Sequence, residues 1–327
     1  MLVGCQSSTV ETGPQRSRFV QADLPTGALG YFVEGTLARE AGDDQAALDL
    51  FLEASRRDER LILVNAALAE IYLEQDQAST AESFLRKLIN LDPRTVRNYV
   101  LLGDALMVLE RVNDALETYL RGVEIQATNG PANFGAGRAL LALDRPGEAR
   151  DYLKVAVDEM PGDGAAWLNY GRALSASSSP AEAEAAFRRA LETTPEVTAD
   201  VLQGLGVTLL QQNRPGEAIS YLQRAAERSD QPADYKLLGD GHMLAGNYGM
   251  AADAYDLALD RNAEFIAALN AKGSARYRQY VAGGRLNSDY LNEAVDLWRQ
   301  SLAVDPDQPR VRETLEQIAP SEDAPES

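Results

Sequence analysis

The chain has 327 residues, 45% of them hydrophobic, and a formal net charge of -19. That charge repels nucleic-acid phosphates, and no Lys/Arg run exceeds the pairs Arg56-Arg57, Arg86-Lys87 and Arg188-Arg189, so no nucleic-acid partner is expected. A single cysteine (Cys5) and a single histidine (His242) exclude an internal disulfide, a cysteine zinc site and a histidine-rich metal site, and no stretch approaches the ~20 apolar residues of a membrane helix.

Residues 1–27 are expected to form a flexible tether, because 6–26 are polar and carry Pro14, Pro25 and Gly13. Leu2-Val3-Gly4-Cys5 resembles the lipobox of bacterial lipoproteins, followed by a polar Gln-Ser-Ser-Thr stretch. The resemblance implies a lipid anchor on Cys5 and, with Gln6 after it, an outer-membrane location facing the periplasm. A signal peptide needs a positive n-region and 7–15 apolar residues before its cleavage site. Only four residues precede Cys5, so either the start is internal to a longer gene or the match is accidental and the segment is a cytosolic tail.

From residue 28 onward a period emerges. A small residue recurs at Gly35, Ala69, Gly103, Gly137, Gly171, Gly206, Gly239 and Gly273, in steps of 33 to 35. About twelve residues later comes an alanine (Ala47, Ala81, Ala115, Ala149, Ala183, Ala218, Ala251), with Ala294 in that role in the last repeat. Four residues further lies a large apolar residue: Phe51, Leu85, Tyr119, Leu153, Phe187, Leu222, Tyr255 and Trp298. A mostly small residue follows three positions on, and Pro93, Pro161, Pro195 and Pro306 close several repeats. Spacings of four and three put these positions on one helical face. Gly42-Asp43-Asp44, Asp144-Arg145-Pro146-Gly147, Asn213-Arg214-Pro215-Gly216 and Gly246-Asn247 mark the turns between paired helices.

The pattern resembles the tetratricopeptide repeat, most clearly at Trp167, Gly171, Ala183, Phe187, Ala190 and Pro195. The resemblance implies an all-α, right-handed α-solenoid of about eight helix–turn–helix repeats over 28–307. It implies close helix crossings at the small residues, with the large residue filling the gap to the next repeat. The last repeat is interrupted near 279–289, where Gly283-Gly284 predicts a loop, or a longer first helix ending in one. Arg310 to Ile318 reads as an amphipathic helix, giving a capping segment at 308–319. Residues 320–327 read as a disordered tail.

The resemblance implies a non-catalytic scaffold, without cofactor or metal, that holds a protein or peptide in a concave groove lined by first helices. Projected onto this sequence, the lining is Phe32, Leu63, Arg97, Val100, Asp104, Met107, Phe134, Arg138, Leu141, Leu168, Asn169, Arg172, Val207, Leu210, Lys236, Asp240, Met243 and Tyr277. Arg138 and Arg172 hold the same position in successive repeats and are expected to lie close together, a pairing suited to carboxylates. The chaperone-binding subgroup's carboxylate clamp is incomplete, since Lys236 stands alone beside Asp240. His242 takes a packing position, Glu182 and Glu184 diverge on their helix, and Gly135 to Gly137 lacks the Lys-Ser/Thr of a phosphate loop. Two destinations stay open: a lipid-anchored scaffold for assembly of an envelope apparatus, and a cytosolic co-chaperone or assembly scaffold.

Overall fold

The computed structural model describes residues 27–194 and 198–318. The tether with Cys5, the closing Pro195 and the tail at 320–327 lie outside the described residues. Seventeen α-helices and no strands occur among the described residues, in two compact units that divide the chain between Arg94 and Thr95.

The first unit holds α1 (Ala28–Glu40), α2 (Asp44–Arg57), α3 (Ile62–Glu74) and α4 (Ala78–Leu91). The second holds α5 (Val96–Val108), α6 (Val112–Ile125), α7 (Gly130–Ala142), α8 (Pro146–Glu159), α9 (Gly164–Ala176), α10 (Pro180–Thr193), α11 (Ala199–Gln211), α12 (Pro215–Ser229), α13 (Pro232–Leu244), α14 (Tyr248–Arg261), α15 (Ile266–Ala282), α16 (Ser288–Val304) and α17 (Pro309–Ile318). Each odd helix up to α15 packs on the even helix that follows it. Asp43, Asn129 and Asp163 cap α2, α7 and α9 by accepting backbone N–H groups that the first turn leaves unpaired.

The turns inside the first seven hairpins each place one residue in the left-handed region (Gly42, Asp76, Glu110, Asp144, Ser178, Asn213 and Gly246), and the last places two, Gly284 and Arg285. Glycine takes this conformation freely, and Asp and Asn tolerate it through local hydrogen bonds. Glu110 and Ser178 have neither advantage.

Packing inside a hairpin is set by the two periodic series. A Cβ added at Gly103 would lie 2.4 Å from the Tyr119 ring, and one at Gly171 would lie 2.9 Å from Phe187. The same close approach joins Gly35 to Phe51, Gly206 to Leu222 and Gly239 to Tyr255. The small residue of the first helix is therefore a seat for the large residue of its own second helix. The large residue also reaches the next hairpin, since Gly135 meets Tyr119 and Gly204 meets Phe187. Phe51, Leu85, Tyr119, Leu153, Phe187, Leu222 and Tyr255 are all buried.

A second series fastens successive hairpins. The Asn65 and Asn133 amides each donate to the carbonyls six and four residues back, Glu59 and Leu61 for one, Ala127 and Asn129 for the other. Trp167 stands one period after Asn133, and its indole N–H donates to Pro161 O, again six residues back, at 2.9 Å. Different side chains thus satisfy the same inter-hairpin carbonyl.

The last hairpin is longer. α15 and α16 each have 17 residues, against 13 for every earlier first helix and 14 or 15 for the earlier second helices. The extra residues extend both helices and end in a turn at Gly283, Gly284 and Arg285. Gly273 still seats Trp298, so the insertion leaves the common contact intact. Lys272 bridges Asp256 on α14 and Glu293 on α16 at 2.6 and 3.0 Å, and Arg276 pairs with Glu293 at 2.9 Å. Desolvation works against the Lys272 charge, but hydrogen bonds to Asp256 and Glu293 outweigh it and raise its pKa. α17 follows after Gln308, whose side chain bonds Asn270, Ser301 and Asp305.

Candidate functional site

In the second unit the first helices pack on one another from hairpin to hairpin: α5 on α7, α7 on α9, α9 on α11, α11 on α13 and α13 on α15. Among the described residues no two second helices approach as closely. The first helices therefore form the tighter side of that stack, and their outward positions face a shared surface.

None of the eighteen projected lining residues is fully buried. Phe32 and Leu63 belong to the first unit, where Phe32 rests 5.7 Å from the Phe51 ring and Leu63 is exposed. The others belong to the second unit, which gathers part of them into two clefts.

The first cleft, about 440 Å³, is lined by Met107, Arg138, Leu141, Asp144, Pro146, Asn169 and Arg172, among others. Arg138 and Arg172 thus share one cleft, and each already faces a carboxylate. Arg138 lies 3.8 Å from Asp104 and 5.4 Å from the centre of the Phe134 ring, while Arg172 lies 3.2 Å from Asp200. These pairs are solvent-accessible, so each contributes little to stability, ~0–1 kcal/mol, and a competing carboxylate can displace it. Asp104 also accepts a 2.7 Å hydrogen bond from Tyr119 OH. Burial raises the Asp104 pKa, opposed by Tyr119 and Arg138. Burial and the neighbouring carboxylate both raise that of Tyr119, keeping it a donor.

The second cleft, about 560 Å³, is lined by Asp240, Met243, Leu244, Tyr248, Ser274 and Arg278, among others. Lys236 is paired with Asp240 at 2.7 Å, and Asp240 accepts from Tyr255 OH at 2.9 Å. The Asp240–Tyr255 arrangement repeats that of Asp104 and Tyr119, with the same separation in the chain.

The remaining predicted residues stand outside these clefts. Arg97 is exposed, and Val100 and Val207 are half-buried. Leu168 and Leu210 pack against the core around Phe187, Leu205 and Leu222. Tyr277 packs 6.1 Å from Trp298. His242 is half-buried, its Nδ1 without a hydrogen-bond partner, and desolvation lowers its pKa against the pull of Asp253. The projection did not include Asp200 or Arg278. Asp200 is the second residue of α11, the same repeat position as Arg97 on α5, so the periodicity could have found it, whereas Arg278 ends the regular length of α15 and lies one residue past the projected Tyr277.

Residues 64–95 and 162–231 each match a family model described as tetratricopeptide repeat. The chain carries tetratricopeptide repeats. PilW, a widely conserved type IV pilus biogenesis factor, has a similar structure at 21% identity, covering 63% of this chain and 94% of PilW with a TM-score of 0.54. Pseudomonas aeruginosa PilF is similar at 17% identity over 61% of this chain and 90% of PilF, TM-score 0.52. A chain of the APC/C hetero-tetramer Cut9-Hcn1 is similar at 14% identity over 89% of this chain and 55% of that one, TM-score 0.55. At these identities the likeness shows the fold alone. Comparison with curated proteins gives no sequence match. No described helix is long and apolar enough to cross a membrane. No group of three or more His, Cys, Asp or Glu side chains among the described residues is placed to hold a metal ion. Repeats of this class generally bind protein partners, and the chain is read as an interaction scaffold.

Proposed function

We propose that the chain is a non-catalytic scaffold that holds an extended peptide segment of a partner protein along its first helices, with the α5–α9 cleft as the principal seat. The observation that carries this is the meeting of Met107, Leu141, Asn169, Arg138 and Arg172 around one open cleft. Met107 and Leu141 take an apolar side chain, Asn169 matches a peptide amide, and the arginines exchange their own aspartates for a partner carboxylate. Arg138→Glu with Arg172→Glu is expected to remove captured partners in an affinity purification from the native host. Unchanged capture by this double variant sinks the placement of the seat.

The wider setting proposed is the bacterial envelope, with Cys5 as a lipid-bearing residue at the periplasmic face of the outer membrane and an assembly apparatus as the partner. Its support is the lipobox-like Leu2 to Cys5 and a fold-level analogy to PilW. The native protein is expected in the membrane fraction and lost from it on Cys5→Ala. A native protein recovered wholly in the soluble fraction favours the cytosolic scaffold instead.

A further inference from the structure

The long last hairpin differs from the rest of the chain in charge as well as in length. No acidic residue occurs between Glu264 and Asp289, while Lys272, Arg276, Arg278 and Arg285 all do. It is the longest acid-free stretch in a chain of net charge -19. Lys272 and Arg276 are committed to Asp256 and Glu293 at the base of the hairpin. Arg278 and Arg285 are exposed and make no ion pair among the described residues. Four extra residues carry the end of α15 about 6 Å beyond the regular hairpin length. That is close to the distance over which salt screens the acidic body, about 8 Å at physiological ionic strength. At the far end stand Val281, 42% exposed, and Leu286, 90% exposed and the most exposed large hydrophobic residue described. Tyr280 lies half-buried just behind them.

We infer that this tip is a contact for an anionic phospholipid surface, with Leu286 and Val281 entering the headgroup–acyl boundary and Arg278 and Arg285 facing lipid phosphates. Apolar residues at the extreme end with cations beside them need only a soft, negatively charged plane. Tyrosine near the boundary fits the same setting. The inference does not depend on Cys5 or on the peptide seat.

The test is co-flotation of the full chain carrying Cys5→Ala with vesicles of phosphatidylcholine alone or with about one-third phosphatidylglycerol. The Cys5→Ala background removes any lipid anchor, so failure here leaves the anchoring proposal intact. Flotation is expected with the phosphatidylglycerol vesicles only, and release at high salt. Arg278→Glu with Arg285→Glu is expected to lower the bound fraction about tenfold or more, and Leu286→Ser several-fold. All three positions are exposed, so helical content by circular dichroism should not change. Equal flotation on both vesicle types, flotation unaffected by the variants, or no flotation at all overturns the inference. A tip-dependent cross-link to an acidic protein with no vesicle binding also overturns it, and reassigns the hairpin to a protein partner.

Discussion

Gly135→Ala gives the sharpest test of how the hairpins are held together. In an isolated helix this substitution stabilises by about 1 kcal/mol, because glycine costs backbone entropy. At residue 135 the added Cβ would lie 2.2 Å from Tyr119 Cε1 and 2.4 Å from Cδ1. Ordinary carbon–carbon contact is about 3.5–4.0 Å, so the ring would have to retreat by more than an ångström. It cannot do so easily. Gly103 presses on the same ring, where an added Cβ would lie 2.4 Å away, and the hydroxyl is held to Asp104 at 2.7 Å. Relief must come from separating α5, α6 and α7, and overpacking of this kind costs about 1–3 kcal/mol, sometimes more. Once the propensity gain is subtracted, net destabilisation of roughly 1–2 kcal/mol is expected. Urea unfolding followed by circular dichroism measures it. Gly147→Ala is the control, since a Cβ there meets nothing within 4 Å and the change should be neutral or mildly stabilising. Tyr119→Leu should relieve the clash, so the double variant should be more stable than the two single changes added together predict. A Gly135→Ala midpoint equal to or above that of the parent chain refutes the argument.

Asn133→Leu removes both donors to Ala127 O and Asn129 O, and a loss of about 1–3 kcal/mol is expected by the same unfolding assay. Lys272→Met leaves Asp256 and Glu293 without the cation between them; its side chain is only 12% exposed but theirs are more open, so about 1–2 kcal/mol should be lost, read as a lower thermal midpoint. Glu110→Gly frees a left-handed turn position and should raise stability by up to about 1 kcal/mol, whereas no gain would mean that Glu110 makes a compensating contact. His242 has a lowered pKa in the folded chain, so the unfolded chain binds its proton first as pH falls. Stability should therefore decline from about pH 7 to about pH 5.5, and His242→Gln should flatten that slope in a pH series of melts.

The hairpin contacts were legible in the sequence because they are local and repeat. Gly103 meets Tyr119, Gly171 meets Phe187 and Gly239 meets Tyr255 at one fixed separation, so the spacing of small and large residues is itself the contact map. Spacing alone does less for side chains whose role is shared by different residue types. Asn133 and Trp167 donate to equivalent carbonyls, yet no common residue type marks the position. Glu110 takes a left-handed conformation its side chain does not advertise.

By itself, then, the sequence determined an all-α chain of paired helices carrying tetratricopeptide repeats, and it offered a set of candidate lining positions on the first helices. Tertiary structure alone decided how those positions are used. It set Arg138 against Asp104, one period back at the same repeat position, and Arg172 against Asp200, at a different position of the following hairpin. It drew Leu168, Leu210 and Tyr277 partly into packing while leaving Met107, Leu141 and Asn169 around a cleft. It also turned the added residues near 279–289 into longer helices with an exposed tip rather than a slack loop. The physical reason is one of range. Periodic packing acts within a hairpin and between immediate neighbours, where the pattern is written, whereas charge pairing and exposure depend on the angles and distances at which successive hairpins stack.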